Sequence, residues 1–324
     1  MNIDTRTIHI EKPFTWAVAV FAARENPSQL LSTINAIKAA DENERTLIDI
    51  MVNGNPQLAS DISELLRVSK SSTSSLVIRV WSISLGDKAH AWNQYVHQVW
   101  PGARCSFFVD GYVRVKPSAL RLLDDGLTSR PGSLGGTGSP TTGRTAANSR
   151  RHLLAEGGLQ GNLFALKKDT MNQLRQRKFN LPLGIYRTDS TLGAALAFGL
   201  DPSRYEWDLK GRIFVHPDVT WTTDERTWWH YAEIKSQFRR ILRQAQGVLE
   251  NKAVQNCLAH QKMAPEKLPY TASELVLEWM QHYPDDARLV LRKNPLSKFA
   301  LKKFSKHRDW SSAMQPPQLV EVIE

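Results

Sequence analysis

The segment Cys105–Pro117, CSFFVDGYVRVKP, constrains this chain more than any other. Its apolar run lacks polar alternation and predicts a strand buried on both faces. The run ends in Asp110, followed at once by Gly111 and a basic, Pro-terminated segment. A carboxylate at the end of such a strand costs free energy unless something pairs with it. In open α/β sheets, ligands bind outside the carboxyl ends of the strands. Asp110 is therefore a candidate binding or catalytic residue.

Upstream the pattern recurs. Phe14–Ala22, Leu47–Val52 and Leu76–Ile83 predict three further strands. Asn26-Pro27-Ser28 opens a helix, with Ser28 as its cap and Leu30, Leu31, Ile34 and Ile37 as its apolar stripe. A second helix runs through Ile62, Leu65 and Leu66, and a third, Gly86–Trp100, carries Ala89, Trp92, Asn93 and Val96. Asn53-Gly54-Asn55-Pro56 reads as a turn and Ser69–Ser75 as a polar break. This alternation predicts an α/β fold, a mostly parallel sheet flanked by helices.

Beyond Asp110, Ser129–Arg151 has no periodicity and is rich in Gly, Ser, Thr and Arg. It reads as a long loop, either disordered or folding over a substrate. Next come a short apolar segment (Gly161–Leu166), a basic helix (Asp169–Arg177) and a helix after Asp189 through Leu192, Ala195, Leu196 and Phe198. Arg212–Val215 reads as a strand, and from Thr227 the pattern is helical. Lys267-Leu268-Pro269 marks a boundary before an amphipathic helix, Ala272–His282.

At 324 residues the chain can bury one good core with a helical appendage. No apolar run approaches the roughly 18 residues of a membrane span. The N-terminus, MNIDTRTIHIEKP, lacks the apolar core of a signal peptide, so a cytoplasmic location is expected. Cys105 and Cys257 lie far apart and read as reduced thiols. The net charge of +10 is uneven: Arg288–Arg308 holds eight Lys/Arg and no acid, interleaved with apolar residues. Such a segment forms either a solvated helix with one packed face or a peripheral contact with anionic lipid. No nucleic-acid-binding motif accompanies it, so a nucleic acid partner is not expected.

Two phosphate-binding fingerprints fail. After the first strand AARENP stands where a dinucleotide fold needs glycines. Gly138–Thr145, GSPTTGRT, has Arg144 in place of the P-loop lysine and is preceded by SRPGSLGG rather than by an expected strand. The sheet edge offers more. Arg24 and Glu25 follow the first strand, Asn53 ends the second, Asp87 and Lys88 follow the third, and Asp110 ends the fourth. Together they describe a polar crevice suited to a nucleotide diphosphate, with Lys88 offsetting phosphate charge and Asn53 reading a base edge.

In this order the segments resemble family 2 of the GT-A glycosyltransferases, from about Phe14 to Gly247. WAVAVFAARENPSQLLSTINAI is similar to that family's first strand, acidic turn and helix. IDIMVNGN is similar to its base-binding turn, with Asn53 in place of Asp, and GDKAHAWNQ to its Gly-Lys-Ala…Asn segment. FFVDGYVRVKPSAL resembles its Asp-x-Asp segment, but Tyr112 stands where the second Asp is usual. GNLFALKKDTMNQL and LGIYRTDSTLGAALAFG resemble the acceptor-side strand and the segment holding the general base. Gln237-Phe238-Arg239-Arg240-Ile241 resembles the Gln-x-x-Arg-Trp motif, with Ile241 in place of Trp.

The resemblance implies a GT-A domain over residues 14–247 and a helical, basic extension over 248–324. It implies inverting transfer of a sugar from a nucleotide-diphosphate donor to a hydroxyl of a carbohydrate or lipid-linked acceptor, in polysaccharide or glycolipid synthesis. Asp189 falls on the general base. Ala23, Arg24, Glu25, Asn53, Lys88, Asp110 and Arg240 fall on the donor site, and Gly161, Asn162 and Thr188 on the acceptor side. Asp110 would hold Mg²⁺ or Mn²⁺, weakly, because a phenol at Tyr112 is a poor ligand for either. His216 is a candidate replacement ligand, with a structural role the alternative. The competing expectation is a transferase fold that binds nucleotide sugar without turnover.

Overall fold

The computed structural model describes residues 13–42, 44–69, 76–143, 145–224 and 231–324, with the backbone alone over 231–239. The segment before Pro13, most of the polar break at Ser69–Ser75, Arg144 and the start of the helical pattern at Thr227 lie outside the described residues. So do the side chains of Gln237, Phe238 and Arg239. Among the described residues the strands are β1 (Trp16–Ala22), β2 (Thr46–Asn53), β3 (Leu76–Ile83), β4 (Cys105–Asp110), β5 (Arg114–Val115), β6 (Gly135–Pro140), β7 (Leu163–Lys167), β8 (Ile213–Thr222) and β9 (Gln318–Ile323). The helices are α1 (Pro27–Ala40), α2 (Pro56–Val68), α3 (Lys88–Gln94), α4 (Ala119–Thr128), α5 (Ala146–Glu156) and α6 (Lys168–Gln176). They continue as α7 (Thr188–Ala197), α8 (Leu209–Arg212), α9 (Tyr231–Gln255), α10 (Ala272–His282), α11 (Pro284–Lys293) and α12 (Ser297–Phe304).

All nine strands join one sheet in the order β5-β8-β6-β7-β4-β1-β2-β3-β9, so the fold is α/β, with helices on both faces. The central run β4-β1-β2-β3 is parallel, as the strand–helix alternation predicts, and β6 also runs parallel to β8. Antiparallel pairs join β7 to β4 and β9 to β3. Register places the functional edge: Phe21 stands opposite Asp110, Ala22 opposite Val52, and Asn53 opposite Ile83. Because β7 is antiparallel, its first residue, Leu163, lies opposite Val109 near the end of β4. The turn before β7 therefore arrives beside Asp110.

Uniformly apolar strands bury both of their faces, and β1 shows how. Trp16, Val18, Val20 and Ala22 pack with Leu30, Ile34 and Ile37 of α1 and Ile62 of α2. Ala19 and Phe21 face the opposite layer, with Trp92 of α3, Leu196 of α7 and Leu249 of α9. At about 1.5–3 kcal/mol per fully buried large side chain, these two layers supply the main driving force for folding.

Four expectations are corrected. Asn26, not Ser28, caps α1, its side chain accepting from the Gln29 N–H at 2.7 Å. Pro27 has no N–H to lose and takes the first helical turn, which pushes the cap back to the residue before it. The expected loop Ser129–Arg151 contains β6 and the start of α5. Its glycines are a packing requirement rather than a loop signal: a Cβ on Gly136 would lie 2.2 Å from the Phe214 ring, and one on Gly138 would lie 2.1 Å from the Val219 carbonyl oxygen. A strand thus does precede GSPTTGRT, but Gly138 is inside it, pressed on β8, where a phosphate loop would need it free. Lastly, residues 248–324 are helical through α12 and a 3₁₀ turn at Ser311–Met314, as expected, but the chain then returns to the sheet as β9. That strand is exposed or half-buried along its length, so its apolar pattern is weak and the open edge of β3 decides its place.

Gly138→Ala is expected to destabilise the fold by about 3 kcal/mol, because the obstacle is a backbone carbonyl that cannot rotate away. Denaturant unfolding followed by tryptophan fluorescence measures it. An unchanged midpoint would show that β6 does not pack this closely on β8.

Candidate active site

At the carboxyl edge of the parallel strands lies a cleft of about 580 Å³. One wall comes from the β1–α1 turn, where Ala23, Arg24 and Glu25 line it. The Glu25 carboxylate accepts from the Ala23 N–H at 2.7 Å and the Arg24 N–H at 2.9 Å, which ties the turn to itself. Asn53 also lines the cleft but is 6% exposed, and its amide donates to the Ala22 carbonyl at 2.9 Å. It holds β2 against β1 through one N–H of that amide.

Gly54 follows at φ +65°, and a Cβ there would lie 2.4 Å from the Cα of Gly86. A glycine at 54 is thus needed for the β2 and β3 turns to touch at the cleft floor, whereas a Cβ on Gly86 would meet Gly54 at an ordinary 3.5 Å. Asp87 caps α3, accepting from the His90 N–H at 2.9 Å. That capping aims Lys88, the first residue of the helix, into the cleft.

Three side chains close the centre. The Lys88 ammonium donates to Asp110 Oδ1, and the Tyr112 hydroxyl donates to Asp110 Oδ2 at 3.0 Å. Asn162 Nδ2 donates to the Tyr112 oxygen at 3.2 Å, and the Asp110 N–H donates to the Asn162 carbonyl at 3.2 Å. Burial pushes the Asp110 carboxyl upward, against Lys88 and Tyr112, which favour its charge. Burial also works against the Lys88 charge, but Asp110, with Asp189 and Glu25 beyond it, holds that ammonium above the usual lysine value. The Asp110 charge, followed by burial, keeps the Tyr112 phenol well above its usual value, so it serves as a neutral donor.

Asp189 reaches the same cleft from the first turn of α7. Its Oδ2 accepts from the Gly161 N–H at 3.3 Å and its Oδ1 from the Ser190 N–H at 2.9 Å. The dipeptide Gly161-Asn162 therefore touches both carboxylate centres, Asp189 through one residue and the Asp110–Tyr112 pair through the next. A Cβ on Gly161 would stand 3.3 Å from the Asp189 Cβ, so a small residue belongs there. Thr188 lines the cleft and is buried.

Arg240 is exposed and is not among the residues lining this cleft; Arg243, almost one turn further along α9, does line it. Its guanidinium lies 5.8 Å from the Tyr186 ring centroid. His216 sits on β8, its Nδ1 accepting from the Asp218 N–H at 3.1 Å, and does not line the cleft. Sequence reading also passed over Arg187, which lines the cleft, and Glu250, which is fully buried. Glu250 accepts from the backbone N–H groups of Tyr186 and Arg187, each at 3.0 Å. Arg187 stood two residues from Asp189 and was findable by proximity. Glu250 had no local signal, since an acid in a polar helix reads as solvated.

The donor set is a poor fit to a hard divalent cation. Mg²⁺ or Mn²⁺ is held by hard oxygen ligands, one or two free carboxylates together with waters and phosphates. Here each oxygen of Asp110 already accepts a protein hydrogen bond, one of them from an ammonium. Among the described residues no group of three His, Cys, Asp or Glu side chains converges to hold a metal ion.

No family model matches the chain, and no curated protein is similar to it at a significant level. Solved structures give distant likenesses. The mannosyltransferase PcManGT from Pyrobaculum calidifontis, in complex with GDP-Man and Mn²⁺, is 17% identical with a TM-score of 0.49, covering 93% of this chain and 78% of that one. S. aureus TarS (residues 1–349) in complex with UDP-GlcNAc is 13% identical with a TM-score of 0.46, covering 90% and 80%. GalNAc-T7 with UDP, GalNAc and Mn²⁺ is 12% identical with a TM-score of 0.45, covering 89% and 60%.

Proposed function

We propose that this chain is an inverting glycosyltransferase of GT-A family 2 type, moving a sugar from a nucleotide-diphosphate donor to an acceptor hydroxyl. One observation carries the reading: the Gly161-Asn162 turn touches both carboxylate centres within one cleft, at the strand ends where a donor would sit. A hydroxyl is a poor nucleophile at neutral pH, so a carboxylate must take its proton as the bond to the anomeric carbon forms. Asp189 is the group for that role. The departing diphosphate develops negative charge, which Lys88, Arg187 and Arg243 are placed around the cleft to stabilise. With a single base and no second carboxylate assigned as nucleophile, attack from the face opposite the leaving group inverts the anomeric centre.

The test is release of UDP or GDP from a panel of UDP- and GDP-sugars with lipid-extract and oligosaccharide acceptors. Turnover that Asp189→Asn removes supports the reading; no turnover from any pair would remove it. A second reading, donor binding without turnover, is favoured by the closed Lys88–Asp110–Tyr112 contacts, which occupy the carboxylate. Tight UDP or GDP binding with no product across the whole panel would establish it.

The acceptor reading includes a lipid-linked glycan and a peripheral membrane contact through residues 288–308. Leu289, Leu296 and Phe299 are exposed, Phe299 at 59%. Exposed Arg292, Lys293, Lys298 and Lys302 flank them on α11 and α12. Apolar side chains that insert shallowly, ringed by cations, suit an anionic lipid surface. Among the described residues no helix is long and apolar enough to cross a membrane. Binding to vesicles containing phosphatidylserine or phosphatidylglycerol, read by co-flotation, is expected to weaken about thirtyfold or more on Phe299→Ser with Lys298→Ala and Lys302→Ala, at about 1 kcal/mol for each of the two cations. Equal flotation on neutral vesicles would sink the contact.

A further inference from the structure

The donor cleft holds a covalently attached cation where a soluble one would otherwise be needed. We propose that Lys88, seated on Asp110, is the charge that meets the donor's diphosphate, so that nucleotide binds here without Mg²⁺ or Mn²⁺. This inference rests on the donor-site reading of the same cleft.

Four observations carry it. Asp110 Oδ1 accepts from the Lys88 ammonium and Oδ2 from the Tyr112 hydroxyl, so a dication reaching Asp110 would share each oxygen with a donor and stand beside an ammonium that repels it. Tyr112 is itself fixed by Asn162, which makes the phenol a built part of the floor. The other two carboxylates of the cleft are also tethered, Glu25 by two backbone N–H groups and Asp189 by two more. The Lys88 side chain lines the cleft and remains 37% exposed while that of Asp110 is 13% exposed, so a ligand entering meets more of the lysine than of the carboxylate behind it.

The charge balance agrees. Among the described residues the cations lining the cleft are Arg24, Lys88, Arg187 and Arg243, against Glu25, Asp110 and Asp189. Cations thus outnumber acids before any ion is added, as an anionic ligand requires. An ammonium with three donors can keep Asp110 and still donate to phosphate oxygens. Tyr112, at the position of the usual second Asp, removes the charge that would have drawn a dication in and supplies a hydrogen bond instead.

Isothermal titration of UDP and of GDP into the full chain, once in EDTA and once in Mn²⁺, tests this directly. The same dissociation constant within about threefold is expected in both, and Lys88→Ala should weaken binding about tenfold or more in EDTA, the scale of a lost charge-assisted contact. Tyr112→Asp should create metal dependence, with UDP or GDP at least about tenfold tighter in Mn²⁺ than in EDTA. The free-Mn²⁺ electron paramagnetic resonance signal reads the same change without nucleotide: undiminished by the wild type, reduced by Tyr112→Asp. The wild-type comparison needs no variant to fold, and circular dichroism confirms the variants that do. Binding of UDP or GDP only in Mn²⁺ would overturn the inference and leave the transferase reading standing. Binding of neither, with or without Mn²⁺, would overturn both.

Discussion

Asp189→Asn is expected to lower turnover by about a thousandfold while leaving UDP or GDP affinity within about threefold. Asparagine is nearly isosteric, and its single carbonyl oxygen can keep one of the two backbone bonds, from Gly161 at 3.3 Å or Ser190 at 2.9 Å. The amide cannot accept the acceptor's proton, so the loss falls on the step in which proton and sugar move together. Because Asp189 sits in the first turn of α7, losing its charge also removes a small helix-end stabilisation of about 0.3–1 kcal/mol. Single-turnover kinetics separate the effects: a slowed chemical step with unchanged donor affinity supports the role, whereas weakened donor binding at unchanged rate would place Asp189 in the donor site instead.

The second large effect is expected far from any reacting atom. Glu250 on α9 is fully buried, and its carboxylate accepts the N–H groups of Tyr186 and Arg187 and the Gln246 amide, the last at 2.6 Å. Lys303 on α12 completes the chain of contacts, donating to Gln246 Oε1 at 2.8 Å. Glu250→Ala leaves two half-buried backbone donors and the Gln246 amide without this acceptor, as well as a void, a loss of about 3 kcal/mol. At about 2 °C per kcal/mol for a chain of this size, the unfolding midpoint should fall by about 6 °C. The segment released carries Arg187 and leads straight into Asp189, so turnover should fall with it. Glu250 acts as a positioning residue, and Glu250→Gln, which keeps an acceptor oxygen, is expected to recover much of the stability.

That pair of variants also gives a pH signature. Burial, the largest influence, raises the Glu250 carboxyl, against the hydrogen bonds from Tyr186, Gln246 and Arg187 and the charge of Lys303. The folded protein therefore holds this proton more tightly than the unfolded chain. Its contribution to stability is complete below the ordinary glutamate range and is lost as pH rises through the raised value. The stability of the wild type minus that of Glu250→Gln should fall over that window and level off above it. A flat difference would show that Glu250 titrates as an ordinary carboxyl, and that burial does not dominate its surroundings.

Much of the strand pattern was legible because buried parallel strands are written as local apolar runs. Trp16–Ala22, Cys105–Asp110 and Leu76–Ile83 each lie within or match a segment readable without the fold. Asp110 was conspicuous as a charge at the end of such a run, and Lys88 as the basic residue after a capping Asp87. The glycine-rich β6 was misread because its signal depends on Phe214 and Val219, some eighty residues away. Arg240 and Arg243 could not be ranked by sequence, since both lie on one basic helix and only its packing turns Arg243 toward the cleft. What fixes Asn53 at the cleft was likewise outside its local sequence: one N–H of its amide is held by the Ala22 carbonyl, a neighbour supplied by the adjacent strand.

Taken alone, the order of residues determined the local periods: which runs become buried strands, where helices are capped, and that charged groups fall just past the strand ends. Tertiary structure alone decided which of those groups meet. The antiparallel arrival of β7 brings Gly161-Asn162 beside Asp110, and the passage of α9 sets Glu250 beneath the turn that carries Asp189. The reason is physical. Periodicity and capping are settled within a few residues, whereas the partner of a buried charge is chosen by whichever distant element can reach it and relieve the cost of its burial.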